Sequence, residues 1–99
     1  MRAIVNIHPD MAARAAGWRA KEIHIKDKRE ATLEDILKAT PLADNGNMYN
    51  YIIENGLIRN DWVLYVNGIS ISGTSCHKTN VKDNTQIHLM DNPQEKHHK

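Results

Sequence analysis

The sequence predicts an α+β domain: a mixed sheet of four to five strands packed on one main helix, with a short second helix beside it. Three observations carry this prediction. Strands of alternating apolar residues lie near both ends of the chain. A threonine-capped amphipathic helix lies between them. An Asn-Gly hairpin signal comes shortly before the last strand.

Length and composition agree with a single core. A chain of 99 residues suits one domain, and 40% hydrophobic with 25% charged residues is an ordinary globular balance. Phe is absent and there are eleven Ile, so the core is expected to be Ile, Leu and Val with help from Trp and Tyr. Thirteen basic against twelve acidic residues give a formal charge of +1, which supplies no electrostatic footprint for nucleic acid. No apolar run approaches the ~20 residues that span a bilayer, so no membrane is expected. The one cysteine, Cys76, excludes an intrachain disulfide and fits a reducing compartment. A cytoplasmic protein is the expectation.

The elements follow in order. "AIVNI" (3–7) alternates, with Ala3, Val5 and Ile7 on one face, and His8-Pro9 ends it because Pro9 cannot donate to a ladder. The alanines of "DMAARAAGWRA" favour a short helical stretch stopped by Gly17. "KEIHIK" is a second strand, Ile23 and Ile25 inward, Glu22, His24 and Lys26 outward. "KDKRE" reads as a charged connector. In "ATLEDILKAT", Thr32 is the N-cap, Asp35 stands three residues on, Leu33, Ile36 and Leu37 share a face, and Pro41 stops the helix. "NMYNYIIENG" reads as a shorter helix capped by Asn47 and closed by Gly56. "DWVLYVNGISIS" is a hairpin, since Asn67 and Gly68 both tolerate positive φ. "GTSCHKTNV" is an irregular crossing, and "TQIHLM" is the last strand.

The economical packing of that order is a β-grasp, or ubiquitin-like, arrangement, with the last strand parallel to the first at the centre of the sheet. Residues 1–90 form the domain and residues 91–99 a flexible polar tail. "EIHIKDKREATLEDILKAT", "VLYVNGISI" and "VKDNTQIHLM" together resemble the MoaD/ThiS-like sulfur carriers and ubiquitin-related modifiers. That family has a T-x-x-D-L/I-L helix, a strand ending V-N-G and an L-x-D-G-D-x-V/I approach to the last strand. In those carriers the last strand runs into a tail ending Gly-Gly, whose carboxylate is adenylated and converted to a thiocarboxylate. Glycine serves there because a residue without Cβ lets the backbone thread a narrow cleft. Here the corresponding stretch is "DNPQEKHHK", and the last glycine in the sequence is Gly73. The resemblance implies the fold and a binding surface, and the missing glycines argue against the carrier chemistry.

The expected function is a non-catalytic ubiquitin-like module that binds another protein, such as an adenylating-enzyme-like protein or an oxidoreductase. Alternatives are a sulfur carrier of molybdopterin, thiamine or tRNA-thiolation type with an atypical C-terminus, and an accessory subunit of a metalloenzyme. The expected protein-binding residues are Arg14, Trp18 and Arg19 in the enlarged first loop, and His8, His24, His88 and Met90 on the outward sheet face. Tryptophan and arginine are interface anchor chemistry. Three outward histidines raise a metal reading, but a hairpin register pairing Ile7 with Ile23 holds their rings apart, so no metal site is expected. Cys76-His77 has no triad partner, and no catalytic residue or cofactor is expected.

Overall fold

The computed structural model describes residues 1–26, 30–71 and 78–92. Cys76, His77 and the predicted tail from Pro93 onward therefore lie outside the described residues. Strand β1 (Arg2–Ile7) leads into helix α1 (Asp10–Ala16), then β2 (Ala20–His24), β3 (Glu30–Thr32), α2 (Leu33–Lys38) and α3 (Met48–Ile52). The strands β4 (Ile53–Glu54), β5 (Leu57–Ile58), β6 (Trp62–Val66), β7 (Ile69–Ile71), β8 (Asn80–Lys82) and β9 (Thr85–Asp91) complete the order.

The main sheet has five strands in the order β2-β1-β9-β6-β7. As the sequence predicts, β9 lies parallel to β1 at the centre, with Val5 opposite Ile87 and Ile7 opposite Leu89. Alternation then decides the faces. Ala3, Val5, Ile7, Ile23, Leu64, Val66, Ile87 and Leu89 all join one buried cluster with Leu33, Ile36 and Leu37 of α2 and the three buried alanines of α1. Trp62 is buried too, at the start of its core strand.

Helix α2 is short, so its start matters more than its length. Thr32 Oγ1 accepts from the Asp35 N–H at 3.2 Å and the Asp35 carboxylate accepts from the Thr32 N–H at 3.1 Å, a complete capping box. Gly17, with φ +86°, ends α1 in the left-handed conformation that favours glycine.

Three expectations need correction. The β1–β2 register pairs Ala3 with Ile23 and Arg2 with His24, four residues away from the pairing of Ile7 with Ile23. The cause is the tight return after α1: the Ile7 N–H donates to Arg19 O at 2.7 Å, so β2 begins pairing at Ala20, beside the end of β1. A four-residue shift preserves the faces, because the side-chain period is two, but it moves every lateral neighbour. Second, Gly56 does not close α3. The helix stops at Ile52, and Asn55 and Gly56, with φ of 55° and 78°, turn a small hairpin between β4 and β5. Third, the segments read as a charged connector and an irregular crossing supply strands at their ends: β3 pairs with β8 in a second small sheet, Ala31 opposite Val81.

Candidate functional site

The outer face of the main sheet is set by the same alternation that builds the core. Ile4 and Asn6 of β1, Val63 and Tyr65 of β6, and His88 and Met90 of β9 are each half-buried, and Gln86 is exposed. The register places His88 between Asn6 and Tyr65, and Met90 beside Val63. Helices α1, α2 and α3 each contribute buried residues to the inner cluster, while this outer face keeps its partial exposure. The Asn6 side-chain amide donates to Gln86 Oε1 at 3.2 Å and to Ile87 O at 3.1 Å, which fixes the polar centre of the face.

The histidines are arranged differently from the expectation. His8 Nε2 and His88 Nδ1 are 2.9 Å apart, and the ring centres are 5.1 Å apart with planes 28° from parallel. Extending the nitrogen gap by the short centre-to-nitrogen distance of each ring nearly recovers the centroid separation. The rings therefore meet edge to edge, close to one plane, in an N–H···N bond rather than lying face on face. His24 is elsewhere. It pairs laterally with Arg2, six residues along β1 from His8, or about 20 Å at the rise of a strand. Its Nε2 stands 3.4 Å from the Glu22 carboxylate, which also holds Arg2 at 3.0 Å. The sheet thus brings two of the three histidines together and leaves the third at its far corner.

In the first loop, Arg19 links to the histidine end of the face. Its guanidinium pairs with the Asp10 carboxylate and donates to His8 O at 3.2 Å. That hydrogen bond, and then the charge of Arg19, hold the Asp10 carboxyl below its usual value. Trp18 turns the other way. It is half-buried against the core, donates from its indole N–H to Pro41 O at 3.1 Å, and carries the Lys21 ammonium 5.8 Å from its ring centre. Arg14 is exposed in the last turn of α1.

Sequence reasoning missed Ile4, Val63 and Tyr65 as parts of the outer face. The signal was present in "WVLYV": once Trp62, Leu64 and Val66 point inward, Val63 and Tyr65 must point outward. It also missed a cleft of about 570 Å³ at the end of β9, lined by Pro9, Met11, Trp62, Asp61, Asp91 and Asn92, among others, with Met11 71% exposed at its edge. Among the described residues no group of three or more His, Cys, Asp or Glu is placed to hold a metal ion, and no helix is long and apolar enough to cross a membrane.

No family model and no curated protein matches the sequence. Solved structures do match the fold, two of them small proteins from archaeal sources. SAMP1 from Haloferax volcanii superposes with a TM-score of 0.67 at 15% identity, over 92% of this chain and 94% of that one. A putative molybdopterin converting factor, subunit 1, from Pyrococcus furiosus superposes with a TM-score of 0.64 at 15% identity, over 92% of this chain and 97% of that one. With its parallel β1–β9 pair at the centre and α2 on the inner face, the chain has the β-grasp, ubiquitin-like fold of these small proteins.

Proposed function

We propose that the protein is a non-catalytic ubiquitin-like module, diverged from the MoaD/ThiS-type sulfur carriers, that docks on another protein through the outer sheet face. The observation that carries this reading is the face itself. Val63, Tyr65, Met90 and His88 form a contiguous, half-exposed patch on the sheet, bordered by Asn6 and Gln86, with Ile4 half-exposed beyond those two polar neighbours. Apolar patches with aromatic and methionine content and a polar surround have the make-up of protein interfaces. Arg19, joined to His8 at one end of the patch, extends the surface into the first loop, where Arg14 is also exposed. Trp18 supports that loop from below.

The sulfur-carrier reading draws support from the likeness to a molybdopterin converting factor subunit. Against it stands Pro93, whose ring restricts φ shortly after β9, where a carrier tail needs freedom. One experiment separates the two. The protein is incubated with an adenylating enzyme, ATP and a sulfur donor, and its intact mass is measured. The module reading expects an unchanged mass, with partner binding kept by a chain shortened to end at Asn92. Exchange of one C-terminal oxygen for sulfur would establish the carrier instead.

A further inference from the structure

We propose that His8, His88 and Met90 form a binding site for copper(I). The inference stands on the geometry of the outer face and does not depend on the docking reading. His8 Nε2 and His88 Nδ1 already approach to 2.9 Å across the two central strands of the sheet. Their backbones are locked: Ile7 lies opposite Leu89 in the parallel pair, and the His8 N–H donates to Leu89 O at 3.0 Å. One step further along the same register sets Met90 opposite His8. Both side chains leave the sheet on the outer face, from strands about 4.8 Å apart. Two imidazoles thus stand in contact, and the register offers the Met90 thioether from a neighbouring position of the same surface.

The donor set selects the ion. Imidazole suits zinc, copper, iron and nickel, whereas a thioether is soft and favours copper(I). Zinc sites are generally tetrahedral with four ligands, and among the described residues no third His, Cys, Asp or Glu joins this pair. Copper(I) accepts three ligands. With metal–nitrogen bonds of about 2.0–2.1 Å, two nitrogens of a trigonal site stand about 3.5 Å apart. The facing nitrogens therefore part by roughly half an ångström, and each ring tilts by about 30° so that both lone pairs meet at the metal, a rotation open to an exposed His8 and a half-buried His88.

The protons also balance. In the N–H···N bond one ring carries a proton on the nitrogen facing the other ring. Copper requires both facing nitrogens bare, so that ring moves its proton to its other nitrogen by exchange with water, and both imidazoles bind neutral. The Arg19 guanidinium, which donates to His8 O, is matched by the Asp10 carboxylate. Tyr65, lateral to His88, and Val63, lateral to Met90, border the site on the side of β6 and shield the thioether from water on that flank.

The test uses the full chain carrying Cys76→Ser, His77→Asn, His97→Asn and His98→Asn, so that donors from other segments do not contribute. Copper(I) is supplied under ascorbate in competition with a chromophoric copper(I) chelator, and the X-ray absorption spectrum of the loaded protein is recorded. The expected result is one copper per chain with two nitrogens and one sulfur in its shell. His88→Asn should abolish binding, and Met90→Leu should remove the sulfur scattering and weaken copper(I), with the circular dichroism of both variants unchanged. Absence of stoichiometric copper, equal binding by the folded His88→Asn variant, or a shell without sulfur would each overturn the site. Should His88→Asn fail to fold, His8→Asn, at the exposed end of β1, gives the same reading.

Discussion

Replacing Ile36 by alanine tests whether α2 is the element that closes the core. Ile36 has no exposed surface, and neither do Leu33 and Leu37 on the same helix. It shares its cluster with Val5, Leu64, Ile87 and Leu89 of the sheet. Its backbone is also committed, since Thr40 Oγ1 donates to Ile36 O at 2.7 Å, which limits how far the helix can settle into a void. Truncation removes about three carbons, worth about 2.4 kcal/mol at ~0.8 kcal/mol each. A residual cavity adds to this, so a total of about 3–4 kcal/mol is expected, inside the usual ~2–5 kcal/mol for such changes. For a domain of this size that lowers the melting temperature by roughly 12–30 °C. Urea unfolding should show a lower midpoint with an unchanged slope. Ile69→Ala is the control: Ile69 is 68% exposed on edge strand β7 and should cost well under ~1 kcal/mol. A loss below about 0.5 kcal/mol for Ile36→Ala, or losses equal at the two sites, would refute the placement of α2 over the sheet.

Thr32→Ala removes the side-chain half of the capping box, the Thr32 Oγ1 acceptor for the Asp35 N–H, and should cost about 1 kcal/mol in chemical denaturation. Trp18→Ala should lower the melting temperature measurably, because the indole packs on the core and donates to Pro41 O, while Trp18→Phe should recover part of the packing. Asp10→Asn tests the acid limb. The folded-state value of Asp10 lies below its ordinary 3.8, by its hydrogen bond to Arg19 and then by the Arg19 charge. Its contribution is therefore present above that ordinary value and lost as pH falls through the folded one. The variant should lose less stability than the parent between pH 5 and pH 2, by a small amount for an exposed pair, and equal slopes would count against the linkage.

The parts legible in the sequence were those governed by local chemistry. The alternation of Ala3, Val5 and Ile7, the Thr32–Asp35 cap and the Asn67-Gly68 turn each work through residues close in sequence, and each stands where the pattern put it. The hairpin register was not legible. A shift of four residues preserves every face, so the hydrophobic pattern cannot distinguish the two pairings, and only the return of the chain after Gly17 decides between them. The His8–His88 contact followed from neither. It depends on the offset between β1 and β9, two strands at opposite ends of the chain, and on a residue lying one step past a strand end. Asn55-Gly56 shows the converse: a good helix-stop signal and a good hairpin signal are the same two residues, and pairing of Ile53 with Ile58 chose the hairpin.

The docking claim is tested most directly by site-specific photo-crosslinking in cells that produce the protein. A photoreactive residue is placed at Tyr65, at the centre of the outer face, or at Lys38, exposed on α2 over the opposite side of the sheet. The account predicts a discrete adduct with one protein from position 65, lost when Met90→Arg is added to the same folded chain, and none from position 38. A discrete adduct from position 38 with none from position 65 would contradict it.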